Sequence, residues 1–127
     1  MPHPKDSPTS LVVANASSQG DGTTQYYFDM DGWSSFSVQI ADTPGTGGDQ
    51  TYTVSLSNTD DGTTLKASAT YVACTSNLFG VASWTTDAFA VPTNHPITAK
   101  FGRLTVVRAN EGGVTTGAWT VTLRFSA

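Results

Sequence analysis

Cysteine is almost absent from this sequence. Cys74 is the single one, so the chain cannot form an intramolecular disulfide. This excludes the disulfide framework typical of small secreted domains. With 127 residues the chain is still long enough to bury one core without a disulfide or a structural metal. We interpret Cys74 as a small buried side chain, because no histidine or basic residue lies near it in sequence to favour a reactive thiolate.

Charge and long apolar runs are scarce as well. Charged residues make up 13% of the chain, the net charge is −4, and the six Lys and Arg are spread along the sequence. Because there is no basic stripe, nucleic acid is not an expected ligand. No apolar run approaches membrane-spanning length, and the first residues lack the apolar segment of a secretion signal. We therefore expect a soluble protein with no membrane partner, kept inside the cell that makes it.

Helix-forming residues are few, with one glutamate, Glu111, in the whole chain. Ser and Thr together number 34, and Val, Tyr, Phe and Trp are common. β-Branched and aromatic side chains fit the pleated, half-buried surface of a strand better than they fit a helix. The composition therefore predicts an all-β protein.

Alternation of apolar and polar residues predicts eight short strands. They lie at residues 11–14, 23–30, 35–40, 50–57, 65–74, 88–91, 101–108 and 119–125. Two packed sheets are the simplest way to bury so many one-sided strands, so we predict an antiparallel β-sandwich of about eight strands, jelly-roll-like. An immunoglobulin-like sandwich is the alternative, weakened by the missing cysteine pair. Residues 1–10 carry three prolines and are predicted to form an extended N-terminal arm, and residues 11–127 a single sandwich domain.

Turn residues predict how some of these strands pair. The glycine-rich stretch between residues 101–108 and 119–125 predicts a terminal hairpin. The Asp-Gly pair at 61–62 is a signal for a tight hairpin joining residues 50–57 to residues 65–74. The alanines of the 65–74 segment would also tolerate a helical turn, and we predict a strand there.

No constellation of residues predicts catalysis or metal binding. Asp29 and Asp31 have the opening spacing of a calcium loop, but the third acidic residue and the closing glutamate are missing, so an aspartate-rich turn is the better interpretation. His3 and His95 lack partners at ligand spacing. The serines include none in a Gly-x-Ser-x-Gly context. We therefore expect no cofactor and no enzymatic activity.

The tryptophans are the remaining candidates for function. Trp119 lies on an alternating strand and is predicted to be core. Trp33 and Trp84 fall in turn or loop contexts, where an exposed ring would stack on a sugar or anchor a protein interface. The alternative is that each ring closes an open end of the sandwich.

Low charge, abundant Thr, Ser and Gly, the proline-bearing arm and the ending Gly-Ala-Trp-Thr-Val-Thr-Leu-Arg-Phe-Ser give the chain a family resemblance. It resembles small virion proteins of tailed bacteriophages, in particular head decoration or cement proteins built as a jelly roll. The resemblance implies a non-enzymatic protein of the virion, assembled in the host cytoplasm. It further implies a homotrimer that binds the major capsid protein and stabilises the head.

On this hypothesis the arm and one end of the sandwich contact the capsid. The candidate partner-binding residues are Pro2, Pro4, Lys5, Pro8, Leu11, Trp33 and Trp84. The alternative function is a phage tail-fibre or tail-tip β-sandwich module that binds a host glycan or receptor through Trp33, Trp84 or an exposed tyrosine. A carbohydrate-binding module of a cellular enzyme is less favoured, because such modules usually accompany a catalytic domain and a secretion signal.

Overall fold

The computed structural model describes residues 9–15, 22–43, 50–59, 62–92, 97–108 and 118–126. Eight strands run through these residues: β1 Thr9–Asn15, β2 Gly22–Asp29, β3 Ser35–Thr43, β4 Gln50–Ser57, β5 Val72–Ala73, β6 Ala88–Ala90, β7 Phe101–Arg108 and β8 Ala118–Ser126. A 3-10 helix, Lys66–Ser68, and a five-residue α-helix, α1 Thr75–Phe79, lie on either side of β5. Neither helix, in this described part of the chain, has the length and apolar character needed to cross a membrane.

The strands form two four-stranded antiparallel sheets. The first sheet has the order β1-β8-β3-β6 and the second the order β2-β7-β4-β5. First pairs with eighth, second with seventh, third with sixth and fourth with fifth, as in one long hairpin folded over itself. This is the jelly-roll arrangement, so the predicted eight-strand antiparallel sandwich is confirmed. The strand order does not fit the immunoglobulin alternative.

The core lies between the inner faces of the two sheets. On β8, Trp119, Val121, Leu123 and Phe125 are all buried, and the residues between them face outward. The second sheet contributes, among others, the fully buried residues Tyr52, Val54, Leu104 and Val106. Burying each large apolar side chain contributes about 1.5–3 kcal/mol, so this layer is the main source of stability.

The predicted terminal hairpin is wrong. β7 lies in the second sheet between β2 and β4, whereas β8 lies in the first sheet between β1 and β3. Alternation makes each strand one-sided, and a one-sided strand buries its apolar face equally well in either sheet. The long-range pairing partners, not the pattern within the strand, decide which sheet it joins.

The predicted strand at 65–74 is largely wrong. Its first part is the 3-10 helix Lys66–Ser68, and only Val72–Ala73 pairs with β4. The alternating residues of this segment are mostly alanines, which bury too little surface to favour one side of a strand. The connection from β4 to β5 is consequently long, so the tight turn expected from the Asp-Gly pair is wrong, whereas the predicted pairing of β4 with the next strand is confirmed.

Trp33 closes one end of the sandwich. It follows a turn in which the Trp33 amide donates to the Met30 carbonyl (2.9 Å) and Gly32 has a φ of 87°, a conformation that favours glycine. This turn carries the chain from the second sheet to the first. The indole is 8% exposed and its ring centroid lies 6.1 Å from that of Phe125. Of the two interpretations of Trp33, the structure therefore fits the ring that closes an open end of the sandwich and not the exposed ring.

Candidate functional site

The two sheets present very different outer faces to solvent. The outer face of the first sheet, which we call the open face, carries one row of side chains in register across all four strands. Val12 pairs with Thr122, Thr122 with Gln39, and Gln39 with Phe89. At the two ends of this row Val12 is 59% exposed and Phe89 72% exposed. Thr122 and Gln39 separate these two side chains, so the row carries exposed apolar groups at its two edge strands and polar groups between them.

Charge on the open face is low. Val91, 53% exposed, follows β6 beside a depression of about 330 Å³ that Ser37, Pro92 and Arg124 help to line. Arg124 is the charged residue among the outward positions of β3 and β8, which otherwise carry Ser, Thr, Gln and Ala. A face of this kind loses little charge hydration when it is covered, because hydroxyl groups are cheaper to desolvate than ions.

The outer face of the second sheet is partly covered by residues 62–71, which we call the crossing segment. β4 and β5 are neighbours, yet the 3-10 helix between them contacts β2 on the far edge of the sheet. The Lys66 Nζ lies 3.3 Å from Asp29 Oδ2 at that edge. The chain therefore leaves β4, crosses β7 to reach β2, and returns to β5. Phe101 of β7 is 7% exposed although it lies outside the main core cluster, because the crossing segment lies over it.

An aromatic and cationic cluster lies where the crossing segment returns to β5. The Arg103 guanidinium carbon is 4.7 Å from the Tyr71 ring centroid, and the Tyr27 and Tyr71 centroids are 5.8 Å apart. The Tyr71 hydroxyl donates to the Lys66 carbonyl (2.8 Å), which closes the crossing segment on itself. Burial raises the pKa of Tyr71, and the positive charge of Arg103 opposes that rise.

Hydrogen bonds from the chain after β5 complete the edge of β4. The Thr75 hydroxyl accepts a hydrogen bond from the Val54 amide (2.8 Å) and donates one to the Val54 carbonyl (3.2 Å). It thus satisfies backbone groups of β4 that the backbone of a longer β5 would otherwise pair with. Trp84 exchanges two backbone hydrogen bonds with Tyr52, at 2.9 and 3.0 Å. Its ring is half-buried in an edge-on contact with Phe79, with centroids 4.9 Å apart. Trp84 therefore belongs to the edge of the sandwich and is not an exposed binding ring.

The other predicted partner-binding residues are not gathered into a site. Pro2, Pro4, Lys5 and Pro8 lie outside the described residues. Leu11 is half-buried on β1 and packs against the core. Its contribution is therefore to the sandwich itself.

Asp29, Asp31 and Cys74, the candidates for metal binding or reactivity, each contact other residues of the fold. Asp29 pairs with Lys66, and the Asp31 carboxylate lies 3.0 Å from the Lys100 Nζ. Within the described ranges, no group of three or more potential metal ligands occurs. Burial raises the pKa of the Cys74 thiol to about 11, so little of it is thiolate at neutral pH.

Two functional candidates were missed by sequence reasoning. Phe89 was detectable, because it alternates with Ala88 and Ala90, and the two alanines fit a crowded inner face better than phenylalanine does. The contact between Tyr71 and Arg103 joins residues far apart in the chain and leaves no local signal.

No protein-family model, curated protein or solved structure matches this chain.

Proposed function

We propose that this chain is a non-enzymatic structural protein of a tailed-bacteriophage virion. It acts as a capsid decoration or cement protein that stabilises the head by binding the major capsid protein. The observation that carries the proposal is the open face, on which Val12, Phe89 and Val91 stand exposed among residues that are uncharged apart from Arg124. The jelly roll supports it in a general way, since viral capsid domains use this fold, as do lectins.

The energetics of association favour the open face as the docking surface. Interface centres are depleted in charge and enriched in aromatic residues. Phe89 has most of its surface left to bury, and the Gln39 amide beside it can exchange hydrogen bonds with a partner backbone. A partner that covers this face thus removes apolar area from water and desolvates few charged side chains.

When several copies of the chain are linked by symmetry, weak individual contacts with the capsid are enough for stable binding. We propose a homotrimer, since linking several copies turns each further contact with the shell into an intramolecular event. The arm, with Pro2, Pro4, Lys5 and Pro8, remains part of the proposed capsid contact, whereas Leu11 packs against the core of the sandwich. Light scattering on a sizing column tests the assembly state: a trimer is expected, and a monomer at high concentration would contradict a preassembled trimer.

Co-sedimentation with heads of the phage that encodes the chain tests the docking surface. The double variant Phe89→Ser/Val91→Ser should lose binding. The matched control Val107→Ser changes an exposed apolar residue on the outer side of β7, in the other sheet, and should bind like the unmodified protein. Thermal unfolding of each variant establishes that the fold is retained. Equal binding by the double variant and the control would reject the open face as the capsid contact.

A tail-fibre or tail-tip module that binds a host glycan or receptor is the second candidate. The burial of Trp33 and the edge position of Trp84 give no support to tryptophan-based binding. The cluster of Tyr27, Tyr71 and Arg103 is the observation that favours this alternative, because it combines aromatic rings with a hydrogen-bonding cation on a solvent-facing sheet. Loss of glycan or receptor binding on changing this cluster, with capsid binding absent, would favour the alternative.

A further inference from the structure

Arg103 presents its guanidinium in a fixed position on the outer face of the second sheet. The side chain leaves the central strand β7, where Arg103 pairs with Tyr27 on one side and with Ser55 on the other. Its guanidinium carbon lies 4.7 Å from the centroid of the Tyr71 ring. A planar cation stacked on an aromatic ring loses little further freedom when it accepts a ligand, so this guanidinium is pre-organised.

No carboxylate of the described residues pairs with this guanidinium. The ion pairs of this region join Lys66 to Asp29 and Lys100 to Asp31. The Arg103 Nε and, two residues along the same side of β7, the Thr105 Oγ1 are buried and have no hydrogen-bond partner there. Buried polar atoms are normally satisfied by protein, water or a ligand. In a chain with a net charge of −4, an arginine that pairs with no carboxylate of the described residues is a candidate to bind a carboxylate from another molecule.

The neighbours of Arg103 suit a sugar. Tyr27 lies directly opposite Arg103 in the strand register, and cross-strand neighbours of this kind have Cβ atoms about 4.5–5.5 Å apart. Tyr27 and Arg103 are therefore neighbours on the outer face, and both contact the Tyr71 ring. The Tyr27 hydroxyl donates to Gln25 Oε1 (2.7 Å), which orients the Gln25 amide so that its NH₂ group is left to meet a sugar hydroxyl.

We propose that Gln25, Tyr27, Tyr71 and Arg103 form a binding site for an acidic sugar, such as a uronic acid unit of a surface polysaccharide. The carboxylate binds the Arg103 guanidinium, the apolar face of the sugar lies on Tyr27, and a hydroxyl accepts from Gln25. Asp29, the next outward residue of β2, pairs with Lys66, which offsets part of its repulsion of the ligand. The site is on the opposite side of the sandwich from the open face, so it does not depend on the proposed capsid contact.

The test is an NMR titration of the intact chain with glucuronate and, in parallel, with glucose, at matched ionic strength. The two sugars differ in the carboxylate. Glucuronate should shift the amide signals of residues 25–27 and 103–105, and glucose should bind roughly tenfold or more weakly, as expected for loss of a charge-assisted hydrogen bond. Arg103→Gln should lose glucuronate binding by a similar factor. Arg124→Gln removes an arginine from the open face and should bind as the unmodified protein does.

Variants and a competing ligand make the outcome decisive. Arg103→Lys keeps the charge without the planar fork, so it should fold and bind glucuronate less tightly than arginine does. Tyr27→Ala should weaken binding of both sugars, and thermal unfolding checks that each variant is folded. Equal glucuronate binding by Arg103→Gln, or no preference over glucose, would overturn the proposal. Equally tight binding of a Glu-rich peptide at the same residues would overturn the assignment to a sugar.

Discussion

Two phenylalanines on the outer faces of the two sheets have opposite environments. Phe89 of the first sheet is 72% exposed, whereas Phe101 of the second sheet is 7% exposed beneath residues 62–71. Both lie at outward positions of their strands, so strand geometry alone does not account for the difference. The β4–β5 connection covers one face and leaves the other bare. The crossing segment thus buries Phe101 on one outer face, whereas Phe89 on the other face stays exposed.

Phe101→Ala should have the largest effect on stability. Removing a buried phenylalanine costs about 3–5 kcal/mol through lost burial and the cavity left behind. Phe89→Ala is the matched control on the open face and should change the free energy of unfolding by less than about 0.5 kcal/mol. Urea denaturation of both variants measures the two values. Similar losses for the two would mean that the crossing segment does not seal Phe101 from water.

Gly102→Ala tests the inner side of the same strand and should have the next largest effect. Gly102 pairs with Phe28, whose ring lies over it, and an added Cβ would overlap that ring. Overpacking of this kind costs about 1–3 kcal/mol. The double variant Gly102→Ala/Phe28→Leu makes room for the methyl group, so its loss should be smaller than the sum of the two single losses. Strict additivity in urea denaturation would show that the ring and the glycine are independent.

The sequence predicts strands best where large apolar residues alternate strictly. The predicted bounds of β4 and β7 match the structure, and the apolar residues of β8 all face the core. The same pattern says nothing about which sheet a strand joins, and the terminal hairpin failed for that reason. Small side chains carry even less information, which is why the alanine-rich segment 65–74 was assigned to a strand.

Candidate sites were harder to predict than strands. The turn sequence around Trp33 did not show whether its ring is buried, because that depends on which core residues are exposed at the end of the sandwich. Phe89 was detectable from its two alanine neighbours. The site around Arg103 was not, since it exists only after the crossing segment places Tyr71 over β7.

Tyr71→Phe should have a moderate effect that depends on pH. The change removes the hydrogen bond from the hydroxyl to the Lys66 carbonyl, worth about 0.5–1.5 kcal/mol. Burial raises the pKa of Tyr71 above its ordinary value of 10.0, so the folded state favours the neutral phenol. The associated stability is fully present below pH 10 and is lost as the pH rises through and above it.

Chemical denaturation between pH 8 and 11 measures this dependence. The Tyr71→Phe protein should lose less stability over that range than the unmodified protein. Tyr27→Phe is the control, because its hydroxyl bonds to an exposed glutamine and should contribute little. An unchanged alkaline slope in Tyr71→Phe would show that other groups govern the loss of stability.

The ion pair between Lys66 and Asp29 should have the smallest effect, although it joins the crossing segment to the edge of β2. Both side chains are largely exposed, and exposed pairs contribute about 0.2–1 kcal/mol before screening by salt. A double-mutant cycle with Lys66→Gln and Asp29→Asn should therefore give a coupling energy in that range, falling further in 1 M salt, where the screening length is about 3 Å. A coupling energy as large as the loss from Phe101→Ala would contradict the view that burial of Phe101 positions the crossing segment. The ion pair would then hold the segment down, and burial of the phenylalanine would follow from it.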